Sequence, residues 1–313
     1  MPDRNMRDVY CEALMEAAEE NRELVVLDAD LMGANGLTPF KETFPDRFIN
    51  VGVAEANMIG IAAGLSAMGK IPFASTFACF ASRRVYDQFF ISSNYARLKV
   101  NLTGSDPGIT VTYNGGTHMT FEDIGIMRNT PELVIYEPAD IVSLKSLVKQ
   151  SVTLPNSTYM RLHRKDTNRL YDESDSFSFG KGKVLRDGKD IAILAVGFVM
   201  VPEALAAADL LAEEGISAAV IDMFSIKPFD EELVLHYARS AGGIVVCENH
   251  QSETGLGGAV TFFLARHCPA TVRTVGINGE FGEVGDLAFL KERFNLTAEH
   301  IAATAKECLK AKE

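Results

Sequence analysis

The sequence predicts an α/β protein of two domains, each built on a parallel sheet with crossover helices. Three observations carry that expectation. Short apolar runs alternate with helical segments from end to end, the pattern of parallel strands joined through helices. The chain has 313 residues, 47% of them apolar and 23% charged, which is enough for two domains with real cores. A polar stretch from Arg164 to Lys183 (RKDTNRLYDESDSFSFGKGK) has few aliphatic residues and interrupts the alternation. The expected division is residues 1–165, a linker at 166–183, and a smaller domain at 184–313.

Within the first part, strands are expected near Leu24–Leu27, Phe48–Val51, Ile71–Ser75, Lys99–Thr103, Leu133–Tyr136 and Tyr159–Leu162. Helices are expected between them at Met6–Asn21, Glu55–Met68, Ser82–Tyr95, Phe121–Arg128 and Ile141–Gln150. The second part restarts with a strand at Ile191–Val196 and a helix at Pro202–Glu214. Strands near Ala218–Asp222, Ile244–Cys247 and Val272–Gly276 follow, with helices between. Ala298–Lys310 closes the chain as a helix, with Thr297 as its N-cap.

Composition excludes several classes. A net charge of −12 argues against nucleic acid and against docking on an anionic membrane, since both need a cationic face. The opening MPDRNMRDVY has no apolar core of a secretory signal, and the most apolar runs, Ile191–Val201 and Met58–Met68, are too short to span a bilayer. Five scattered cysteines, with no CxxC pair, read as free thiols in a reducing cytoplasm and not as a zinc site.

Chemistry concentrates in three segments. In Phe48–Met68 (FINVGVAEANMIGIAAGLSAM) a strand gives way to a helix at Glu55, the only acidic residue between Arg47 and Asp87. Ligands of open parallel sheets sit at the carboxyl ends of strands, so Glu55 is well placed. A carboxyl in so apolar a helix start needs a partner, or it is simply stabilised by the helix dipole. In Pro72–Gln88 (PFASTFACFASRRVYDQ), Phe77 and Phe80 are three apart and share a face. They form either ordinary core or a stacking platform for a flat heterocycle. In Asn114–Asp123 (NGGTHMTFED), Gly115 and Gly116 make a tight turn that presents His118 ahead of a helix.

Taken in order, these segments resemble the pyrimidine-binding half of the transketolase family. The order is G-x-x-E before an Ala/Gly-rich helix, S-T-F-x-x-F, then G-x-T-H-x-x-x-E, then Glu137-Pro138-Ala139-Asp140. Ala29-Asp30-Leu31 resembles the family's Ala-Asp-Leu element, and Tyr159-Met160-Arg161 its strand with a substrate-binding arginine. Cys247-Glu248-Asn249-His250 and Gly255-Leu256-Gly257-Gly258 resemble the family's C-terminal domain, so the likeness covers nearly the whole chain.

The resemblance implies a thiamine-diphosphate enzyme that moves a two-carbon ketol unit from a ketose to an aldose, sugar phosphates included. It implies that Glu55 faces the aminopyrimidine and shares a proton with it, flanked by Phe77 and Phe80, with Asp30 near the cofactor. His118 would act in catalysis and, with Arg161, Asn114 and Asp106, in binding substrate. The family's metal-binding G-D-G is missing, so the Mg2+ or Ca2+ that holds the diphosphate is expected on a partner. The chain is then the C-terminal subunit of a split enzyme: a homodimer that recruits two N-terminal-half subunits into a heterotetramer.

Three departures bear on substrate. Asn114 stands where the family carries Asp, Asp106 where it often has His twelve residues before His118, and Ala34 where it has Ser. A carboxylate at position 106 would repel a nearby phosphate. The competing expectations are a 1-deoxyxylulose-5-phosphate-synthase-like or 2-oxoacid dehydrogenase β-type subunit, and a non-catalytic assembly partner. A plain nucleotide-binding protein is disfavoured because no G-x-G-x-x-G or P-loop follows a strand.

Overall fold

The computed structural model describes residues 4–311. They divide into two compact units: one takes in the chain up to Pro107 and again Ile126–Phe177, the other Gly108–Gly125 and the chain from Ser178 onward. The second unit thus includes an excursion from the first part of the sequence, the segment that carries His118.

The first unit runs α1 (Met6–Glu20), β1 (Leu24–Asp28), α2 (Thr38–Thr43), β2 (Phe48–Asn50), α3 (Glu55–Ala67), β3 (Ile71–Phe77), α4 (Ala78–Arg83), α5 (Tyr86–Gln88) and β4 (Asn101–Ser105). After α6 (Asp123–Met127) it resumes with β5 (Val134–Tyr136), α7 (Ile141–Thr153) and β6 (Thr158–Leu162). Its strands pair in the order β5-β6-β4-β3-β1-β2, all parallel. The chain builds outward from β1 to β2, then crosses back to lay β3 on the other side of β1. Such a reversal of strand order opens a crevice at the carboxyl ends of the strands. Strands β1, β3 and β4 are buried on both faces, as sheets covered by helices require, while the edge strand β2 is partly exposed. Under them Tyr10 bonds the Ser75 and Thr103 hydroxyls at 3.2 and 3.0 Å, and burial pushes its phenol up to about 12.

In the second unit, β7 (Lys183–Arg186), β8 (Ile191–Ala195), α8 (Gly197–Glu213), β9 (Ala218–Asp222), β10 (Ser225–Lys227), α9 (Glu231–Ser240), β11 (Ile244–Gln251), α10 (Leu256–His267), β12 (Val272–Ile277), α11 (Leu287–Arg293) and α12 (Ala298–Lys310) follow in order. The sheet order is β12-β11-β8-β9-β7, parallel except for β7. An antiparallel edge strand starting at Lys183 was not expected, because one short run of mixed polarity carries no periodicity. Thr297 caps α12 as expected, its Oγ1 accepting the His300 N–H.

Two helices differ from expectation. The single helix expected at Ser82–Tyr95 is instead α4, α5 and a π-helical turn at Phe89–Tyr95. The wider turn is held by the Asn94 amide on the Phe89 carbonyl at 2.8 Å. The helix expected to start at Pro202 starts at Gly197, which adopts φ +80°, so Pro202 lies inside α8. The missing proline N–H falls near the helix end, where only one backbone bond is forgone.

Candidate active site

Five strand ends of the first unit deliver polar or aromatic groups to one rim of the sheet. After β1, the fully buried Asp28 accepts from the Leu31 N–H at 2.5 Å and from Asn35 at 2.9 Å, fixing the loop that follows. Burial raises the Asp28 carboxyl above the ordinary carboxylate range, against the hydrogen bonds from Asn35 and Leu31. Asp30, two residues on, is exposed at φ +63° and exchanges hydrogen bonds with Asn50 of β2. The buried anchor of this loop is therefore Asp28, a residue that the motif reading passed over.

After β2, Gly52 at φ +74° turns the chain, and Glu55 opens α3 with 5% of its surface exposed. Its Oε1 accepts from Arg84 Nη1 at 2.8 Å. After β3, Phe77 and Phe80 stand with ring centres 6.0 Å apart and planes tilted by 48°. The Arg84 guanidinium lies 3.8 Å from the centre of the Phe80 ring, which brings Phe80 and Glu55 to one cation.

Two expectations about anion binding need correction. Arg161 lies in mid-strand on β6, is fully buried, and is ion-paired with Glu137. It is a core group in mid-strand, its charge matched by Glu137, and it does not stand past the strand end. The arginine at the end of β6 is Arg164. Its Nε and Nη2 grip Asp106 Oδ2 at 2.7 and 2.5 Å, its backbone N–H donates to Asp106 Oδ1 at 3.1 Å, and its Nη1 donates to the Ala34 carbonyl at 3.0 Å. Its guanidinium also lies 4.7 Å from the centre of the Phe77 ring. Asp106, 2% exposed, is therefore no bare carboxylate: its charge is matched by Arg164. The pair presents a neutral polar patch instead of the repulsive charge expected. Arg164 is legible after the fact, since it sits two residues past the strand end.

His118 and Asn114 belong to the second unit. Their loop begins at Gly108, passes Thr112 at φ +52° and ψ −117°, and ends at α6. Positive φ at a β-branched residue is strained and must be held by its surroundings. Strand β11 supplies three ties: Asn249 Oδ1 accepts the Ile109 N–H at 3.0 Å, the Gln251 N–H donates to the Phe121 carbonyl at 2.8 Å, and His250 Nε2 accepts the Gly125 N–H at 3.3 Å. A Cβ on Gly108 would fall 2.2 Å from Asn249, and one on Gly116 would fall 2.2 Å from the Gly282 carbonyl, so both positions require glycine for space. His118 is half-buried with Nδ1 2.9 Å from Thr117 Oγ1, and Asn114 is exposed. Glu248, fully buried, receives the Leu256 and Gly257 N–H groups at 2.8 and 2.7 Å, which explains the Gly-rich start of α10 as a capped helix end.

Among the described residues, no cluster of three or more His, Cys, Asp or Glu side chains is placed to hold a metal ion. No helix among them is long and apolar enough to cross a membrane.

Comparison with known proteins gives consistent matches along the chain. Residues 3–169 match the family model "Transketolase, pyrimidine binding domain", and residues 180–301 match "Transketolase, C-terminal domain". The chain is 48% identical to the 6-deoxy-6-sulfo-D-fructose transketolase subunit SqwH of Clostridium sp. (strain MSTE9), over 98% of this chain and 95% of that protein. It is 41% identical to a putative transketolase C-terminal section of Methanocaldococcus jannaschii, over 98% and 97%. Among solved structures, a split gene transketolase in an inactive beta4 tetramer superposes with a TM-score of 0.90 at 38% identity, over 99% of this chain and all of that one.

Proposed function

The chain belongs to the transketolase family, and from that premise we propose that it is the C-terminal subunit of a split, thiamine-diphosphate-dependent transketolase that transfers a two-carbon ketol unit between sugars. The observation that carries the reading is Glu55. A carboxylate 5% exposed, at the first turn of a helix and past the carboxyl end of β2 in a parallel sheet, shares a flat N–H donor with an aromatic ring on which that donor stacks. A cradle of that shape fits an aminopyrimidine.

When bound, thiamine diphosphate supplies a nucleophilic carbon and an electron sink for breaking the ketose carbon–carbon bond. Glu55 holds a proton at the pyrimidine ring nitrogen and so fixes the tautomer. Phe80, with Phe77 beside it, keeps the ring face dry and oriented. His118, in the turn that follows Asn114, donates to or accepts from substrate oxygens. Arg164, not Arg161, is the group assigned to the substrate, its charge balanced and its fork pre-oriented by Asp106. With most of its donors already engaged, this arginine suits a polar or singly charged sugar terminus better than a dianionic one. The SqwH relative is named for a sulfonated sugar, whose sulfonate carries one charge. Asn114 is assigned to a sugar hydroxyl, and Asp30 to the rim of the cofactor site.

The diphosphate and its Mg2+ or Ca2+ are assigned to an N-terminal-half partner, because the sequence has no G-D-G. The assembly is a heterotetramer on a homodimer of this chain, acting in the cytoplasm. Its support lies in α3. Gly60 and Gly64 have open space where a Cβ would stand, and Val53 and Met68 beside them are 73% and 76% exposed. An apolar face of that kind marks an interaction surface. The test is a thiamine-diphosphate-dependent assay of the chain co-expressed with diphosphate-binding partners, on a panel of ketoses that includes sulfonated ones. Activity only in the co-expressed complex supports the assignment. A chain that never associates with such a partner counts against it.

A further inference from the structure

Arg84 follows α4 directly, and 48% of its side chain is exposed, yet its guanidinium turns in over the cradle. It makes two contacts there: a hydrogen bond from Nη1 to Glu55 Oε1 at 2.8 Å, and a stack with Cζ 3.8 Å from the centre of the Phe80 ring. A guanidinium is flat, delocalised and edged with N–H donors. An aminopyrimidine is also flat and delocalised, with one face to stack and one edge to present to a carboxylate. The neighbouring Arg83 instead donates from Nε to the Cys79 carbonyl at 3.3 Å, one turn back.

We propose that Arg84 is an internal stand-in for the aminopyrimidine: it occupies the cofactor's cradle in the free chain and must swing out before the cofactor can enter. The inference rests on the assignment of Glu55 and Phe80 to the cofactor. Its physical basis is the cost of an empty cradle. A carboxylate 5% exposed needs a counter-charge, and an aromatic face beside it would otherwise be wetted. Arg84 supplies both while its long stem keeps one side in solvent, so rotation about its own bonds releases it. Release exchanges a fixed positive charge for a ring that can share a proton with Glu55. The free chain is thereby held closed to cofactor until a partner adds the diphosphate contacts. Apparent affinity is divided by the fraction of molecules already open, so removing the stand-in must tighten binding.

The test uses the full chain by itself and, as probe, the hydroxymethyl aminopyrimidine that forms one half of the cofactor. Binding is titrated by ligand-observed NMR for the wild type, Arg84→Ala, Arg83→Ala, Glu55→Gln and the Glu55→Gln/Arg84→Ala double variant. Circular dichroism checks that each is folded. Arg84→Ala is expected to bind about tenfold tighter, as for a cradle open one part in ten in the wild type. Arg83→Ala is expected to match the wild type, and the double variant to lose the gain. Equal or weaker binding by Arg84→Ala overturns the proposal, as does an equal gain in Arg83→Ala, which would make the effect one of net charge. If Arg84→Ala shows no gain while Glu55→Gln alone weakens binding, only the stand-in fails and the cofactor site stands. A gain that survives in the double variant removes Glu55 from the site and takes both readings down together.

Discussion

Arg161 and Arg164 lie three residues apart on one chain segment and do opposite things. Arg161 is locked in the core by Glu137, so Arg161→Ala should take the paired charge from a buried carboxylate and cost about 3–5 kcal/mol, measured as a loss in denaturant midpoint of the isolated chain. A change below about 1 kcal/mol would contradict the buried pair. The sequence could not separate the two arginines, because strand alternation does not say which residues face a charged partner 24 positions away. Position could have: a side chain past the carboxyl end of a strand faces the crevice, and that rule selects Arg164. The placement of Glu55 past a strand end was legible for the same reason. Asp106 was misjudged because its partner is 58 residues distant, and a charge seen in one dimension looks bare. Between the arginines, His163 is 5% exposed and pushed down to about 3 by burial, with Arg164 and Lys165 adding to the shift. In the unfolded chain it titrates near the ordinary histidine value of about 6.5 and takes up a proton first. Stability from this residue is therefore complete above pH 6.5 and falls as pH drops toward about 3, by up to about 1.4 kcal/mol per pH unit. Urea melts between pH 7 and 5 should show that slope, and His163→Asn should flatten it. An unchanged slope in the variant would assign the acid sensitivity elsewhere.

At the scale of elements, the strands and the helix that carry Glu55 follow from hydrophobic pattern and were legible. The loop bearing His118 was legible only as a motif. Its shape depends on β11, more than a hundred residues later, through Asn249, His250 and Gln251. The C-terminal motif around Glu248 read as family likeness, but its physics is local: a buried carboxylate caps α10, while the next two side chains pin the loop. Asn249→Leu should orphan the buried Ile109 N–H at a cost of about 1–3 kcal/mol, and amide exchange at Ile109 should speed up by about tenfold or more. Exchange as slow as in the wild type would mean that the loop is held without Asn249. The π-helical turn at Phe89–Tyr95 was not legible, because the sequence there is a run any helix would accept.

For the molecule as a whole, the proposed function makes this chain half of an active site, with Glu55 as the group that controls the cofactor's proton. The free chain should self-associate through surface that includes α3, and it should bind thiamine diphosphate weakly, since the diphosphate contacts are assigned to the partner. Sedimentation and calorimetry of the pure chain check both. A stable monomer, or submicromolar cofactor binding in the presence of magnesium, would break the split-site account. The most direct test is exchange of the thiazolium C2 proton of thiamine diphosphate, followed by NMR in the complex of this chain with its diphosphate-binding partner. With Glu55→Gln the account predicts an intact complex in which exchange is slowed by about 10²-fold or more, the usual scale of lost proton control. Exchange at the wild-type rate in that variant would contradict it.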